Sequence, residues 1–357
     1  MMRVLFTGYA PVHFVCFQPL FEALSRDPGF DVRVSGGIRG YDRDGTRTHD
    51  TRALYDRFNL PPDSVVDVAE LADLEVDLLF CSNTKPLAPR GYGESIEIFH
   101  GMSFRNRSVR QEAVTYDRYL VLGPYQRRRL EQRGVVVAGD TDRAISVGFP
   151  KTDRLLDGSL QRDAVLTHLR LSGDRPIVLY APTGAHHNSL ETFGPDFLAG
   201  LAATGQFDIV VKPHDHPKAD INWFTRLAPL AGEHVRLLRD ADAMPALFAA
   251  DVLVSDASSI ANEYLLLDRP LVFLDVPELL ASAAAEDDRL DLDTWGRSAG
   301  TVVGDAVTAV RAVEDAVADP RRMSSLRYEI AADLFYNPGR ATQAALAWVT
   351  DRLAVPA

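Results

Sequence analysis

Four segments of the chain bring together side chains able to move protons or hold phosphate, and each follows an apolar run. The first, Ile96-Glu97-Ile98-Phe99-His100-Gly101, delivers an imidazole beside a glycine. An imidazole titrates near neutrality, so His100 can serve as a general base, and Gly101 leaves room for close backbone approach. The plainer reading of the same residues is a partly buried histidine bonded to a carbonyl. The second, Tyr180-Ala181-Pro182-Thr183-Gly184-Ala185-His186-His187, runs into a Pro/Gly loop. No HExxH or cysteine companions make His186 and His187 a zinc site, so the loop reads as a wall of a donor site carrying Thr183, with the two imidazoles solvated and no metal expected.

The third segment, Val210-Val211-Lys212-Pro213-His214-Asp215-His216-Pro217, sets a cation and two imidazoles at another strand end. Lys212, His214 and His216 suit a diphosphate or its leaving group. The fourth is the most specific. In Val252-Leu253-Val254-Ser255-Asp256-Ala257-Ser258-Ser259, followed by Ile260-Ala261-Asn262-Glu263-Tyr264, a strand pattern passes through a hydroxyl-rich turn into a helix. The amides and hydroxyls of Asp256, Ser258 and Ser259 can hold phosphate, and Glu263, about one turn later, can accept bonds from ribose hydroxyls. Helix capping by Asp256 or Ser258 explains the turn equally well but leaves Glu263 unexplained.

Apolar runs alternating with helical patterns position these segments, as in successive βα units of a parallel sheet. Strands are expected at Arg3 to Thr7, Val32 to Ser35, Leu78 to Cys81, Ile96 to Phe99, Tyr119 to Leu122 and Ile145 to Val147. A second series runs Ile177 to Tyr180, Asp208 to Lys212, Val235 to Leu238, Val252 to Ser255 and Leu271 to Leu274. Ligands of such sheets bind beyond the strands' carboxyl ends, where the four segments lie. The domains are read as 1–150 on the acceptor side, with Gly8, directly after the first strand, taken as acceptor-binding, and 151–335 on the nucleotide side. Residues 336–357 read as a helix returning to the first domain. The stretch Gly36 to Thr51 reads as a loop, and Ala281 to Ala285 with Glu286-Asp287-Asp288 as a mobile loop.

The 357 residues carry 38 Lys plus Arg against 50 Asp plus Glu, a formal charge of −12 that argues against general nucleic-acid binding. Eight arginines nevertheless fall between Arg105 and Arg133, against Glu112, Asp117 and Glu131. Arg105 and Arg107, close after His100, are read as acceptor-binding, with an anionic or lipid-linked acceptor or an acidic membrane surface as partner. Arg127 to Arg133 can equally form a solvated helix face. Cys16 and Cys81 have no metal or disulfide spacing. With no signal-peptide pattern and no apolar stretch near the length of a span, a cytoplasmic location is expected, with room for peripheral contact at the inner face of the plasma membrane.

Together the segments resemble the CDP-glycerol glycerophosphotransferase family, enzymes of teichoic-acid and capsule polymer synthesis, from about Ile96 to Asp275. Phe99-His100-Gly101 is similar to that family's Trp-His-Gly element, with Phe for Trp. Gly148-Phe149-Pro150-Lys151-Thr152-Asp153 resembles its Gly-Tyr-Pro-Arg-Asn-Asp linker, and Tyr180-Ala181-Pro182-Thr183 its Tyr-Ala-Pro-Thr loop. Ser255-Asp256-Ala257-Ser258-Ser259 with Leu266-Leu267-Asp268-Arg269-Pro270 resembles its Ser-Asp-Tyr-Ser-Ser and Leu-Leu-Asp-Arg-Pro.

The resemblance implies a GT-B-like α/β fold: two Rossmann-type parallel-sheet domains facing a cleft, with a C-terminal helix packed back on the first. It implies His100 as catalytic base, His214 or His216 on the donor phosphates, and Ser258 and Ser259 on the diphosphate. Because the family has a single His-Pro where this chain has His214-Asp215-His216-Pro217, the matching imidazole stays open. The implied activity is transfer of a polyol phosphate from a CDP-activated donor to an acceptor hydroxyl, with no cofactor. Glu263 and Pro19-Leu20-Phe21-Glu22-Ala23-Leu24 look more like UDP-sugar enzymes of the same architecture, which keeps a GT-B glycosyltransferase with an NDP-sugar donor, or a UDP-N-acetylglucosamine 2-epimerase-like enzyme, as the alternative.

Overall fold

The structure is a computed structural model that describes residues 1–82, 87–104, 109, 116–214, 221–285 and 291–353. The chain forms two compact units. One comprises Met1–Gly101, Val109–Asp153 and Leu334–Ala357, the other Met102–Ser108 and Arg154–Asp333.

The first unit is built on a six-stranded parallel sheet with two further strands in a hairpin. Its strands are β1 (Met2–Gly8), β2 (Phe30–Gly36), β5 (Glu75–Cys81), β6 (Gly91–Ile98), β7 (Arg118–Val121) and β8 (Ala144–Ser146), with β3 (Ile38–Tyr41) and β4 (Arg47–Asp50) as the hairpin. The order β2-β1-β5-β6-β7-β8 reverses direction between β1 and β5, the position at which such sheets open a crevice at their carboxyl edge. Helices on the faces leave both sides of the sheet apolar, which is why its strands read as short aliphatic runs. Phe6 stacks between Phe17 and Phe80, with ring centroids 4.9 and 4.8 Å away.

The last helix, Ala341–Leu353, completes this core, with Ala345 and Val349 fully buried in it. Asp153 holds the start of that helix, accepting from the amides of Ala341 (2.9 Å) and Thr342 (2.7 Å). Gly148, at φ +98°, lies so close to the returning chain that a Cβ there would sit 2.1 Å from the Tyr336 carbonyl oxygen. The linker motif is thus also a clamp for the chain's end.

The second unit carries β9 (Ile177–Tyr180), β10 (Asp208–Val211), β11 (Val235–Leu237), β12 (Val252–Ser255), β13 (Leu271–Leu274) and β14 (Gly300–Val303), all parallel, in the order β11-β10-β9-β12-β13-β14. Strands β9, β10, β12 and β13 are buried at every position. Its switch of direction falls between β9 and β12. Arg327, 1% exposed, donates to Asp268 Oδ1 at 2.9 Å and to the carbonyls of Asp268 and Pro320, pinning the helix Ser324–Leu334.

Two expectations are corrected, and one further strand is found. Gly36 to Thr51 contains the β3/β4 hairpin, whose polar residues hid it because backbone pairing rather than an apolar face holds it. Ala281 to Ala285 is not loop but the end of the helix Pro277–Ala285, as the high helix propensity of alanine favours. Strand β14 escaped notice because an edge strand with two exposed positions lacks the fully apolar signature. No helix among the described residues is long and apolar enough to cross a membrane.

Candidate functional site

In the first unit the carboxyl ends of β1, β5 and β6 bring Gly8, Ser82 and His100 to one edge of the sheet. His100 Nδ1 lies 2.6 Å from the carbonyl oxygen of Ser82. A carbonyl only accepts, so Nδ1 carries the proton and the neutral ring keeps its lone pair on Nε2. His100 keeps an exposed face, yet the protein packed round the rest of the ring depresses its pKa below the ordinary histidine value. The Ser82 bond works against that shift, and the Lys151 ammonium adds to it. The outcome is an imidazole that stays unprotonated at neutral pH.

A second imidazole, missed in the sequence, stands beside it. His13 is 4% exposed and its ring centroid is 5.4 Å from that of His100. The Tyr9 amide donates to His13 Nδ1 at 3.2 Å, which assigns the proton of a neutral ring to Nε2, the opposite tautomer from His100. Gly8 makes this possible, because a Cβ there would stand 2.8 Å from the Cβ of His13. The Tyr9 ring meets His13 edge-on with centroids 4.5 Å apart, and the guanidinium of Arg39 lies over the Tyr9 ring, 4.0 Å from its centroid. The signal was available in Gly8-Tyr9-Ala10-Pro11-Val12-His13, directly after the first strand.

Lys151 is also buried, a position the linker motif held without its role being read. Of the arginine-rich stretch, Arg118 is bound to Glu94 and to the Asp142 carbonyl, and Arg127 to Ala144 and Ser146, so both serve the scaffold. Arg105 and Arg107 lie outside the described residues.

In the second unit the turn after β12 is organised by Asp256, which is fully buried. Its Oδ1 accepts from the amides of Thr183 (2.8 Å) and Ala257 (2.6 Å), and its Oδ2 from the amide (3.0 Å) and hydroxyl (2.8 Å) of Ser189. Asp256 therefore joins the Thr183 loop to the serine turn. Ser258 and Ser259 are partly exposed and line a depression with Phe104, Asn262 and Arg297. Asn262 donates to the Met102 carbonyl at 2.8 Å. Glu263 is 1% exposed in the short helix Ile260–Tyr264 that follows. Lys212, 8% exposed, directly follows β10, and His214 two residues later is exposed. Strand β9 alone separates β10 from β12, so Lys212 and the serine turn share the carboxyl edge of the sheet. His216 lies outside the described residues, and His187 contacts Glu278 at 3.2 Å.

Residues 93–342 match the family described as CDP-glycerol:poly(glycerophosphate) glycerophosphotransferase. The chain belongs to that family. The match takes in both the Phe99-His100-Gly101 segment and the serine turn. Among related proteins, the teichoic acid glycerol-phosphate primase of Bacillus spizizenii is 26% identical over 170 residues, 47% of this chain and 42% of that one. The matched region therefore spans less than half of that relative's length. The wall teichoic acid polymerase TagF shares the fold with a TM-score of 0.70 at 13% identity, covering 99% of this chain and 89% of that one. The S. aureus MnaA–UDP structure follows at a TM-score of 0.62 and 12% identity, covering 100% and 98%. This chain, TagF and MnaA thus share one architecture, a GT-B-like pair of parallel-sheet units.

Proposed function

We propose that this chain transfers glycerol phosphate, or a closely related polyol phosphate, from a CDP-activated donor to an acceptor hydroxyl in cell-surface polymer synthesis. The observation that carries the chemistry is the 2.6 Å bond from His100 Nδ1 to Ser82 O, which leaves Nε2 as a base. Nε2 takes the proton of the acceptor hydroxyl as its oxygen attacks the β-phosphorus of the donor. The bond from that phosphorus to the bridging oxygen breaks, CMP leaves, and a phosphodiester forms. In the second unit Lys212 and the Ser258 and Ser259 hydroxyls bind the diphosphate, His214 faces the phosphates or the leaving group, and Glu263 holds the ribose. Thr183 forms the adjoining wall, and Asp256 keeps loop and turn in register.

Family membership supports this reading, and a TagF variant has been solved with CDPG. The acceptor is an anionic or lipid-linked hydroxyl compound that meets the first unit beside Gly8 and His100; Arg105 and Arg107, its anion contacts as read from the sequence, lie outside the described residues. Peripheral contact with the inner face of the plasma membrane belongs to the same proposal. The test follows the atoms. With CDP-glycerol and acceptor, CMP accumulates and ³¹P NMR shows a new phosphodiester containing the donor's β-phosphorus. Release of a nucleoside diphosphate from a sugar nucleotide, with a phosphate-free sugar transferred, establishes the glycosyltransferase instead.

A further inference from the structure

Arg297 stands ahead of β14 in Trp295-Gly296-Arg297, and no sequence motif singles it out. Its Nη1 donates to Asp275 Oδ1 at 2.8 Å, and Asp275 directly follows β13 at the same carboxyl edge that presents the serine turn. Only 12% of the side chain is exposed. The Nε group is buried and has no hydrogen-bond partner among the described residues. Leaving such a donor unmade is unfavourable, and folded proteins ordinarily satisfy it.

Arg297 lines the depression that also holds Ser258, Ser259 and Asn262. An arginine held by a carboxylate at Nη1 still presents its planar Nε–Nη2 edge, whose two parallel N–H bonds match a pair of oxygens on a phosphate. The carboxylate next to it in that depression does not compete, because Asp256 already accepts four hydrogen bonds from Thr183, Ala257 and Ser189.

We infer that Arg297 is a donor-phosphate ligand of the second unit, gripping through its Nε–Nη2 edge the diphosphate that rests on Ser258 and Ser259, with Asp275 as its positioning residue. This rests on the reading of that unit as a nucleotide-diphosphate site. It places cations on both flanks of the serine turn, Lys212 from β10 and Arg297 from the β13 and β14 side.

The experiment compares dissociation constants of CDP-glycerol, CDP, inorganic pyrophosphate and cytidine for the full chain and for Arg297→Gln, Arg297→Lys and Asp275→Asn. Arg297→Gln weakens the three phosphate-bearing ligands by about 10- to 100-fold and leaves cytidine unchanged. Arg297→Lys, which keeps the charge but not the fork, recovers only part of the loss. Asp275→Asn gives a smaller loss in the same three ligands. Unchanged CDP and pyrophosphate binding in Arg297→Gln overturns the inference, as does an equal loss of cytidine, which marks a general disturbance of the unit. Should Arg297→Gln not fold, the Lys variant decides by the same comparison. If the wild type binds pyrophosphate and CDP but not CDP-glycerol, the function proposed above fails while Arg297 is still judged on the other two. If it binds none of them, both fall.

Discussion

His100 and His13 lie with ring centroids 5.4 Å apart, and their bonding assigns them opposite tautomers. One ring gives its Nδ1 proton to a carbonyl, while the other receives a backbone proton at Nδ1. A base and a neutral N–H donor therefore stand side by side at the end of the first sheet.

Replacing His100 by Ala removes the base and nothing of the second unit's phosphate-binding set. Transfer falls by about 10²- to 10⁴-fold. The dissociation constant of CDP-glycerol, measured calorimetrically, stays within a factor of two or so of wild type. Near-normal turnover removes His100 from the mechanism.

The pH profile follows from the environment of the ring. Burial and the Lys151 ammonium lower the His100 pKa, so the active neutral form persists to pH values below the ordinary 6.5. Activity falls only as pH drops through that depressed value. Lys151→Met takes away the cation and lets the pKa rise, which moves the acid limb of kcat/KM to higher pH. An unmoved limb in a folded variant shows that Lys151 does not act on His100.

Asp256 anchors two backbone segments from full burial. Asp256→Ala leaves the amides of Thr183, Ser189 and Ala257 without their acceptor, and stability drops by more than about 2 kcal/mol in urea unfolding. Ser258→Ala, by contrast, weakens donor binding with little change in the unfolding midpoint.

Glu97, paired across the sheet with Cys81, is pushed up to about 8 by burial, from a model-peptide value of 4.5. The folded state therefore binds a proton that the unfolded state has released between those two values, and stability declines as pH rises from about 4.5 to about 8. Glu97→Gln flattens that decline. Unfolding free energies measured at several pH values in wild type and variant check it, and parallel curves count against the assignment.

The strands of both sheets could be read because their aliphatic runs are buried on both faces, as at Ile177–Tyr180 and Val252–Ser255, whose bounds match the expectation. His100, Lys212 and Ser258 could be found because they sit directly after such runs. His13 and Arg297 could not be ranked in the same way. His13 comes soon after the first strand, but it is buried in the helix Pro11–Ser25 among Phe14, Val15, Cys16 and Phe17, so its position reads as core. Arg297 acquires meaning only through its bond to Asp275, 22 residues earlier, and the depression that Arg297 shares with the serine turn. Asp256 was visible as a residue type, but its occupation by four donors from two loops is a matter of tertiary geometry.

The clamp of Asp153 on the helix Ala341–Leu353 also sets an order of events during synthesis. Multidomain chains commonly complete their first domain while later residues are still being made. Here the first sheet lacks Ala345 and Val349, both buried in its core, until residues 341–353 have left the ribosome. The continuous stretch Arg154–Asp333 has by then already emerged. The unit that carries His100 is begun first but closed only after the second sheet's stretch has emerged, so a nascent chain holds all the strands of the second sheet before the first core is complete.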